Sequence, residues 1–282
     1  MDYTIIEKLK LNELELCKNW SDKAIELNNS VHILANGNLK GDYFLNRVIL
    51  TNGRGDSSKE EKEILSIVSS LKEISKKQIS DVYIHINDTY SSLKSIFEKN
   101  GFREIDKLIG LVHVVNDHQS FSSKEFEVQK LLSNGETYKV VQSADELDEW
   151  INVYISSFGI EMEKRTTIRT ILQKENFRDS KFILYEQKSE DTTNRLDLIP
   201  MGCCLFFPTN DVLGLYCLGT NQRYRNKGVA SRIIDIAIAY AKINGLNFIG
   251  LQALHSDRTI GFYQRRQFTK VYTNTIYSLP IS

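Results

Sequence analysis

The second half of the chain alternates between helical and extended hydrophobic patterns. Apolar residues recur every three to four positions where a helix would bury one face, and they alternate or run continuously where a strand would lie in a sheet. The pattern predicts helices over residues 144–158, 163–174, 228–244 and 256–266. It predicts strands over residues 138–141, 181–187, 199–207, 213–218 and 247–254, with further strands near Val271 and Ile276.

The first half mixes helices and strands in a related order. The pattern predicts helices over residues 11–28, 58–77, 91–100 and 124–132, and strands over 31–35, 43–50 and 81–86 and around Ile105 and Leu111. Both halves end in the order strand, helix, strand, helix, strand, strand, which indicates a duplicated fold. Asn134-Gly135 is a stop signal at the junction. We therefore predict two domains, over residues 1–135 and 136–282.

The composition argues against several classes of protein. The 282 residues include 36 Lys+Arg and 36 Asp+Glu, so the chain lacks the basic surplus typical of nucleic-acid-binding proteins. No apolar stretch approaches the ~18 residues of a membrane span, and the N-terminus has no signal-peptide pattern. We expect a cytoplasmic monomer or homodimer without a nucleic-acid or membrane partner. The cysteines and His32, His85, His113 and His118 form no ligand pattern, so no metal is expected.

The turn after the strand at 213–218 carries the clearest chemical signal. It is basic at Arg223, Arg225 and Lys227, and it opens a helix through Gly228 and Ala230. Unpaired amides and the dipole at a helix start attract an anion, and small residues let phosphate oxygens approach the main chain. The alternative is a solvated turn with a solvated basic face. The turn lacks the Gly-Lys-Ser/Thr ending of a Walker loop and the paired glycines of a dinucleotide fingerprint.

Two motifs in this half resemble those of the GNAT (Gcn5-related N-acetyltransferase) superfamily. Arg225-Asn226-Lys227-Gly228-Val229-Ala230 fits the Arg/Gln-x-x-Gly-x-Gly/Ala loop with which that superfamily holds the pyrophosphate of coenzyme A. The segment from Ser256 to Phe268 resembles the superfamily's helix ending in Tyr-x-x-x-Gly-Phe, with Tyr263 as the tyrosine. The resemblance extends over about residues 138–282. It implies an α/β (α+β) fold in each domain, with a mixed, mostly antiparallel twisted sheet flanked by helices.

The first half is similar to the same fold without the cofactor signature. Ile96-Phe97-Glu98-Lys99-Asn100-Gly101-Phe102 copies the end of the helix, but Phe97 occupies the tyrosine position. The glycines in residues 52–56, before the helix at 58–77, lack the required spacing. We therefore expect a tandem GNAT protein with a degenerate N-terminal copy and a cofactor-binding second copy. The alternative is an unrelated α/β domain in the first half.

The resemblance implies acetyl-CoA as acyl donor, inserted in a V-shaped opening between the strands at 213–220 and 247–254. Main-chain groups between Cys217 and Thr220 would pair with pantetheine and the acyl carbonyl, where losing one such donor typically lowers the rate 10²–10³-fold. Tyr263 would protonate the departing thiolate, although a tyrosine merely packed on the helix face is the structural alternative. The implied cofactor-binding residues are Leu218, Thr220, Arg223, Arg225, Asn226, Lys227, Gly228, Val229, Ala230 and Ser256.

The acceptor side is less defined. Glu161 and Glu163 could attract a cationic amine, and Asp211 and His255 could act as a base, but each is more often an ordinary surface charge. Ser256 replaces an asparagine found in many relatives, and Gln267 replaces a glycine that supplies a left-handed turn. Cys203, Cys204 and Cys217 are expected in the core rather than as nucleophiles.

These features predict an acyl-CoA-dependent N-acyltransferase that moves an acetyl group directly to a small-molecule or peptide amine. Two alternatives stay open. One is a non-catalytic acyl-CoA-binding or scaffold protein that keeps the loop without turnover. The other is an aminoacyl-tRNA-dependent transferase, which would not need the pyrophosphate loop and which the neutral charge disfavours.

Overall fold

The computed structural model describes residues 3–28, 31–39, 41–50, 65–66, 68–69, 82–88, 94–115, 135–174, 177–188, 198–257 and 259–279. The chain forms two compact units. The first unit comprises residues 1–111 and 252–282, and the second comprises residues 112–251. The predicted helices at 58–77 and 124–132 and the glycines at 52–56 lie essentially outside the described residues.

The first unit is a sheet with helix α1 (Tyr3–Trp20) and the short helices α2 (Lys94–Lys99) and α6 (Ile260–Arg265). Its strands are β1 (Lys23–Asn28), β2 (Val31–Ala35), β3 (Arg47–Leu50), β4 (Val82–Asn87), β5 (Arg103–Val114) and β11 (Thr269–Leu279). They lie in the order β1-β2-β3-β4-β11-β5. The β1–β2, β2–β3 and β4–β11 pairs are antiparallel, and β3–β4 is parallel.

The second unit contains strands β6 (Glu136–Val140), β7 (Lys181–Lys188), β8 (Leu198–Thr209) and β9 (Val212–Thr220), and the larger part of β10 (Phe248–Leu254). They lie in the order β10-β9-β8-β7-β6. Only β9–β10 is parallel among these pairs. Its helices are α3 (Ala144–Phe158), α4 (Arg165–Leu172) and α5 (Val229–Ile243). The mixed, mostly antiparallel sheet flanked by helices confirms the predicted fold class.

Several predicted elements differ from the structure. The helix predicted over 11–28 begins at Tyr3 and ends at Trp20, and Lys23–Asn28 is strand β1, paired antiparallel with β2. The helix predicted over 163–174 is a 3₁₀ turn, Met162–Lys164, followed by α4. Each pair of short strands predicted at a domain end is one long strand, β5 or β11. The polar residues inside these two strands therefore do not interrupt them.

The compact units do not coincide with the sequence halves divided at Gly135. The last strand, β11, pairs with β4 over six residues, from Asn274 opposite Asn87 to Leu279 opposite Val82. A segment from the end of the chain therefore completes the sheet of the first unit. The proposed boundary between two sequence copies stays a prediction about their duplication.

The core of the first unit includes a cluster of aliphatic and aromatic side chains under α2. Phe97 is fully buried and stacks on Tyr277 at 5.5 Å between ring centroids, with Phe102 edge-on at 5.4 Å. In the second unit, Trp150 of α3 is fully buried and donates its indole N–H to the carbonyl of Cys204. No helix in the described part of the chain is long and apolar enough to cross a membrane.

Candidate acyl-CoA site

Strand β9 has its parallel partner along only part of its length. β10 pairs with β9 from Val212 to Gly214, where Gly214 lies opposite Gly250. Beyond Gly214 the described residues of β9 have no β10 partner, whereas β8 accompanies β9 as far as Thr220. We call residues 215–220 the outer part of β9. Along one edge of this part, the backbone groups do not pair with β10.

This outer part of β9 contains a β-bulge. Cys203 of β8 lies opposite Gly219 and Leu205 lies opposite Tyr216, so Cys217 and Leu218 together oppose a single residue. Cys217 has a φ of 53°, in the left-handed region that non-glycine residues seldom adopt. A bulge re-aims local backbone groups and often lies beside an active site. The predicted contact residues Leu218 and Thr220 are at or just beyond this bulge.

The loop after β9 is held by its own side chains and by α3. Asn221 accepts a hydrogen bond from the Arg223 amide and begins a 3₁₀ turn, Gln222–Tyr224. Arg225 donates to the carbonyl of Ser157 at the end of α3, at 2.8 Å. Lys227 places its ammonium 5.3 Å from the centroid of the Tyr224 ring. The loop thus keeps three cationic side chains next to the start of α5.

Helix α5 begins without a side-chain cap. Gly228 is the N-cap with a φ of 83°, and it has no side chain that could bond the first turn. Asn226, two residues earlier, also has a positive φ, at 63°. The first amides of a helix have no partner inside it, so those of Gly228, Val229 and Ala230 have no acceptor within α5. A Cβ built on Gly228 meets no atom within 4 Å, so space is open there.

Two glycines that the sequence interpretation did not single out position this region. A Cβ on Gly202 of β8 would lie 2.5 Å from Val229 Cγ1, so only glycine lets the start of α5 sit so close to the sheet. A Cβ on Gly219 of β9 would lie 2.7 Å from Ser157 Cβ, which brings the end of α3 against β9. In the sequence, the only signal for these contacts is an isolated glycine within a strand pattern. Such a glycine indicates that another segment approaches the strand closely, but it does not indicate which segment.

Three of the predicted site residues belong to the first unit. Tyr263 of α6 is partly buried, with its ring 5.2 Å from that of Phe262 and 5.8 Å from that of Phe268. His255 is exposed, and its amide donates to the Lys107 carbonyl. Ser256 donates its hydroxyl to the Asp106 carboxylate. The helix predicted over 256–266 is shorter than expected, because α6 begins at Ile260. Arg258 lies outside the described residues.

Two of the three acidic candidates in the second unit, Glu161 and Asp211, already have partners. Glu161 forms an ion pair with Lys164 at 3.6 Å, and its side chain is 73% exposed. Glu163 lies in the 3₁₀ turn Met162–Lys164. Asp211 accepts hydrogen bonds from the Asn247 side chain and, through its carbonyl, from the Asn247 and Phe248 amides. Asp211 therefore joins the beginnings of the parallel strands β9 and β10. Glu161 belongs to an ion pair on the surface.

The cysteines beside β9 are poor nucleophiles. Cys203 and Cys204 are fully buried, and burial raises the pKa of both thiols well above the usual value for cysteine. Cys203 Sγ lies 3.4 Å from the Cys217 carbonyl oxygen and Cys204 Sγ 3.4 Å from that of Tyr216, so both thiols can donate weak hydrogen bonds to β9. A thiol must be deprotonated to attack, so these residues pack the sheet. Among the described residues, no group of three His, Cys, Asp or Glu side chains is placed to hold a metal.

A family match covers the region just described. Residues 146–268 match the family model described as "Acetyltransferase (GNAT) family". Residues 146–268 form a GNAT acetyltransferase domain. The matched region contains most of α3, the bulge of β9, the loop at Gly228 and Tyr263. The match confirms the predicted type of enzyme, a GNAT-type N-acetyltransferase. No curated protein matches the chain by sequence.

Solved GNAT structures share the fold over most of the chain. A GCN5-related N-acetyltransferase from Kribbella flavida is 16% identical with a TM-score of 0.63, covering 98% of this chain and 95% of its own. One from Sphaerobacter thermophilus is 13% identical with a TM-score of 0.61, covering 98% and 90%. A tandem GNAT protein from the clavulanic acid biosynthesis pathway is 9% identical with a TM-score of 0.53, covering 82% and 74%. The fold that these solved structures share with the chain therefore includes its first half as well as the GNAT domain.

Proposed function

We propose that the protein is an acyl-CoA-dependent N-acyltransferase that takes acetyl-CoA as donor and a small-molecule or peptide amine as acceptor. The observation that carries the proposal is the geometry of β9, which loses its partner β10 after Gly214 and bulges at Cys217. Backbone groups on that edge are available to an extended ligand. The basic loop and the uncapped start of α5 follow directly in the chain.

The pyrophosphate of the donor would bind at the start of α5. The amides of Gly228, Val229 and Ala230 and the helix dipole favour a diphosphate, and the open space at Gly228 gives its oxygens access. Arg223, Asn226 and Lys227 would bind it from the loop. Because Arg225 already donates to Ser157, its main contribution would be to hold the loop against α3.

The chemistry requires stabilisation of a thioester oxygen. As the neutral amine attacks the carbonyl carbon, a C–N bond forms, the carbonyl oxygen gains negative charge and the C–S bond then breaks. Backbone N–H groups near Leu218 and Thr220 would stabilise that oxygen, since fixed donors need no reorganisation. Ser256 would contact the pantetheine, and Glu161 or His255 would attract or deprotonate the amine.

Tyr263 would protonate the departing thiolate. Its assignment rests on the motif it shares with the GNAT superfamily and on its partly buried ring. We expect Tyr263→Phe to lower kcat at least tenfold, about 1.4 kcal/mol in the barrier, while acetyl-CoA affinity stays nearly unchanged. Steady-state kinetics and calorimetry measure the two effects. An unchanged kcat would remove Tyr263 from the mechanism.

The first test of function is release of free thiol from acetyl-CoA in the presence of a panel of amines. An acyltransferase produces amine-dependent thiol and an acetylated product of matching mass. Acetyl-CoA binding without amine-dependent thiol would support the non-catalytic alternative. Failure to bind acetyl-CoA, together with transfer from a charged tRNA, would support the third hypothesis.

The second test examines the pyrophosphate site with a matched pair of variants. Gly228→Glu places a carboxylate where the diphosphate would bind, and we expect at least tenfold weaker acetyl-CoA affinity in calorimetry. Gly245→Glu is the control, because Gly245 also has a positive φ, at 68°, and open space around it, but follows the other end of α5. Equal affinity in the two variants would contradict the proposed site.

A further inference from the structure

The end of helix α3 exposes two large apolar side chains. Phe158, the last residue of α3, is 54% exposed, and Met162 in the following 3₁₀ turn is 60% exposed. Among the described residues, these are the large apolar side chains that are more than half exposed. Gly159 ends the helix between them with a φ of 66°. A single exposed apolar side chain is ordinary, so the place of these two in the fold decides their meaning.

Phe158 is the last member of a row of aromatic rings along α3. Trp150 stacks on Tyr154 at 5.4 Å between ring centroids, and the Tyr154 ring lies 5.2 Å from that of Phe158. Residues four apart share one face of a helix, so the three rings follow one another along α3. Trp150 is fully buried, whereas Phe158 is more than half exposed. The row therefore runs from the core to the surface, and its packing holds the Phe158 ring in place.

The surface end of this row lies against the outer part of β9. A Cβ built on Gly219 would lie 3.1 Å from Phe158 Cε2 and 2.8 Å from Ser157 Oγ. Both side chains therefore face the main chain at Gly219. Leu218 and Thr220 flank Gly219, and N–H groups near them are the donors proposed above for the thioester oxygen. The end of α3 thus lies beside the place at which the acyl group would react.

Ser157 contributes a buried hydroxyl group to this place. Ser157 is 9% exposed, and its Oγ has no hydrogen-bond partner in the described part of the chain. The neighbouring Ser156 instead donates to the Val153 carbonyl of the same helix. A buried hydroxyl without a partner costs stability, and in a functional region such a group is a candidate for contact with a ligand.

The charge after the helix end suits a cationic amine. Residues 159–164 contain two acidic residues, Glu161 and Glu163, and one basic residue, Lys164. Glu161 forms an ion pair with Lys164 at 3.6 Å, and its side chain stays 73% exposed. The segment therefore carries an excess negative charge beside its exposed apolar side chains. Such a surface attracts a protonated amine from solution.

We propose that the end of α3 binds the apolar group of the acceptor, and that the acceptor is a small-molecule primary amine with an aromatic group, of the 2-arylethylamine class. This inference rests on the proposed N-acyltransferase function. The aromatic group covers Phe158 and Met162, and the amine nitrogen lies near Gly219, where it donates an N–H to Ser157 Oγ. This hydrogen bond orients the neutral amine and leaves its lone pair free to attack. The amine loses its proton to the base proposed above, and Ser157 keeps its own.

A small molecule fits this place better than a peptide main chain does. An extended peptide needs backbone partners along a free strand edge. In the proposed site, the free edge of the outer part of β9 is already occupied by the donor. One apolar wall and one hydroxyl group match a ligand with one ring and one amine.

The first test compares kcat/KM for 2-phenylethylamine, ethylamine and a tripeptide that begins with phenylalanine, at saturating acetyl-CoA. We expect 2-phenylethylamine to exceed each of the other two about tenfold, because only this acceptor combines the ring with a small-molecule amine. Phe158→Ala should lower kcat/KM for 2-phenylethylamine about tenfold and reduce its preference over ethylamine. The control is Val114→Ala, which removes an exposed apolar side chain at the end of β5 and should keep the preference.

The second test separates contact with the amine from a structural role of Ser157. Ser157→Ala should lower kcat/KM for 2-phenylethylamine about tenfold while acetyl-CoA affinity in calorimetry stays the same. Because the hydroxyl has no partner in the described part of the chain, its removal should not lower the free energy of unfolding. Ser156→Ala is the matched control and should keep turnover. Unchanged kinetics in Ser157→Ala, together with a loss of stability, would contradict the contact with the amine.

Two kinds of failure are distinguishable. Equal kcat/KM for the three acceptors, or a preference for ethylamine or the tripeptide, would overturn this inference and leave the N-acyltransferase function intact. If no amine releases thiol, the proposed function itself fails. Fluorine NMR of 4-fluorophenethylamine with CoA present then still tests the binding site. We expect line broadening that is lost in Phe158→Ala, and identical spectra with the two proteins would contradict the site.

Discussion

Two helix–turn–strand segments of the first unit have the same backbone and different side chains. After α2, the amides of Phe102 and Gly101 donate to the carbonyls of Phe97 and Glu98. After α6, the amides of Phe268 and Gln267 donate to those of Tyr263 and Gln264. Both are Schellman turns, with a left-handed residue at Gly101, φ 90°, and at Gln267, φ 65°.

The two segments differ in how deeply the aromatic side chain is buried. Phe97 is fully buried between Tyr277 and Phe102, whereas Tyr263 at the same turn position is only partly buried. The backbone hydrogen bonds thus define the turn, and the aromatic residue can serve either the core or a site. The comparison supports the proposal that the first copy kept the fold and lost the cofactor signature.

The two parallel strand pairs differ in a similar way. β3–β4 and β9–β10 each pair over three residues, from Arg47 with Tyr83 to Ile49 with His85 in the first unit. In the second unit the last pair is Gly214 with Gly250. The first pair therefore carries bulky and polar groups that pack under α1. The second pair ends in two glycines, and beyond them β9 continues beside β8 without β10.

The largest expected effect is at Phe97. Phe97→Ala removes a fully buried ring and leaves a cavity, so we expect a loss of about 3–5 kcal/mol in the free energy of unfolding, measured by urea denaturation. Tyr263→Ala, at the matching position, should cost clearly less, because its ring is only partly buried. Equal losses in the two variants would mean that the two turns use their aromatic residues alike.

The next largest effect is a decrease in the free energy of unfolding at acid pH, caused by protonation of His85. Burial and the neighbouring Arg47 hold the pKa of His85 well below its ordinary value of about 6.5. The unfolded chain therefore binds the proton first, so the stabilisation is complete above about pH 6.5 and is lost progressively as the pH falls below it. The loss per pH unit cannot exceed about 1.4 kcal/mol, the value for one proton bound by the unfolded chain alone.

The measurement is the free energy of unfolding against pH in the unmodified protein and in His85→Gln. Glutamine can accept from Arg47 but does not titrate, so the slope of the variant should be shallower, by up to about 1.4 kcal/mol per pH unit towards pH 5. Parallel slopes would show that His85 takes up its proton in the folded protein. That result would weaken the contrast between the two parallel pairs.

The sequence correctly predicted helix boundaries that depend only on neighbouring residues. Helix α3 was predicted from its hydrophobic pattern with its exact bounds. In the structure Ser143 and Glu146 form a capping box, and Gly159 ends the helix in the left-handed conformation. The helix start at Gly228 was predicted from the small and basic residues that precede the apolar pattern of α5. In each case the residues that define the boundary lie within one turn of it.

Elements that depend on distant partners were not predicted. Residues 23–28 continue the helical pattern of α1, but pairing with β2 makes them a strand. No local signal indicates the bulge at Cys217, because its left-handed conformation depends on the register with β8. A small polar cavity in the first unit is lined by residues of α1, β3, β4 and β11, among them Lys10 and Asn274, which are far apart in the chain. Such sites require the tertiary structure.

The smallest expected effect tests the two Schellman turns against each other. Gln267 holds a positive φ that favours glycine, so Gln267→Gly should raise the free energy of unfolding by about 0.5–1 kcal/mol. Gly101→Gln is the reciprocal change and should lower it by about 1 kcal/mol. A Cβ on Gly101 would meet only Leu279 Cδ1, at an ordinary 3.7 Å, so the conformation and not a clash decides the result.

Urea denaturation of both variants and of the double variant measures these changes. If the turns are independent, the two effects add, and the double variant is close in stability to the unmodified protein. A Gln267→Gly variant that is less stable would mean that the Gln267 side chain contributes contacts worth more than its backbone strain. Turnover of that variant then separates the two roles of the α6 segment, since a turn kept by its hydrogen bonds should leave Tyr263 in place and kcat unchanged.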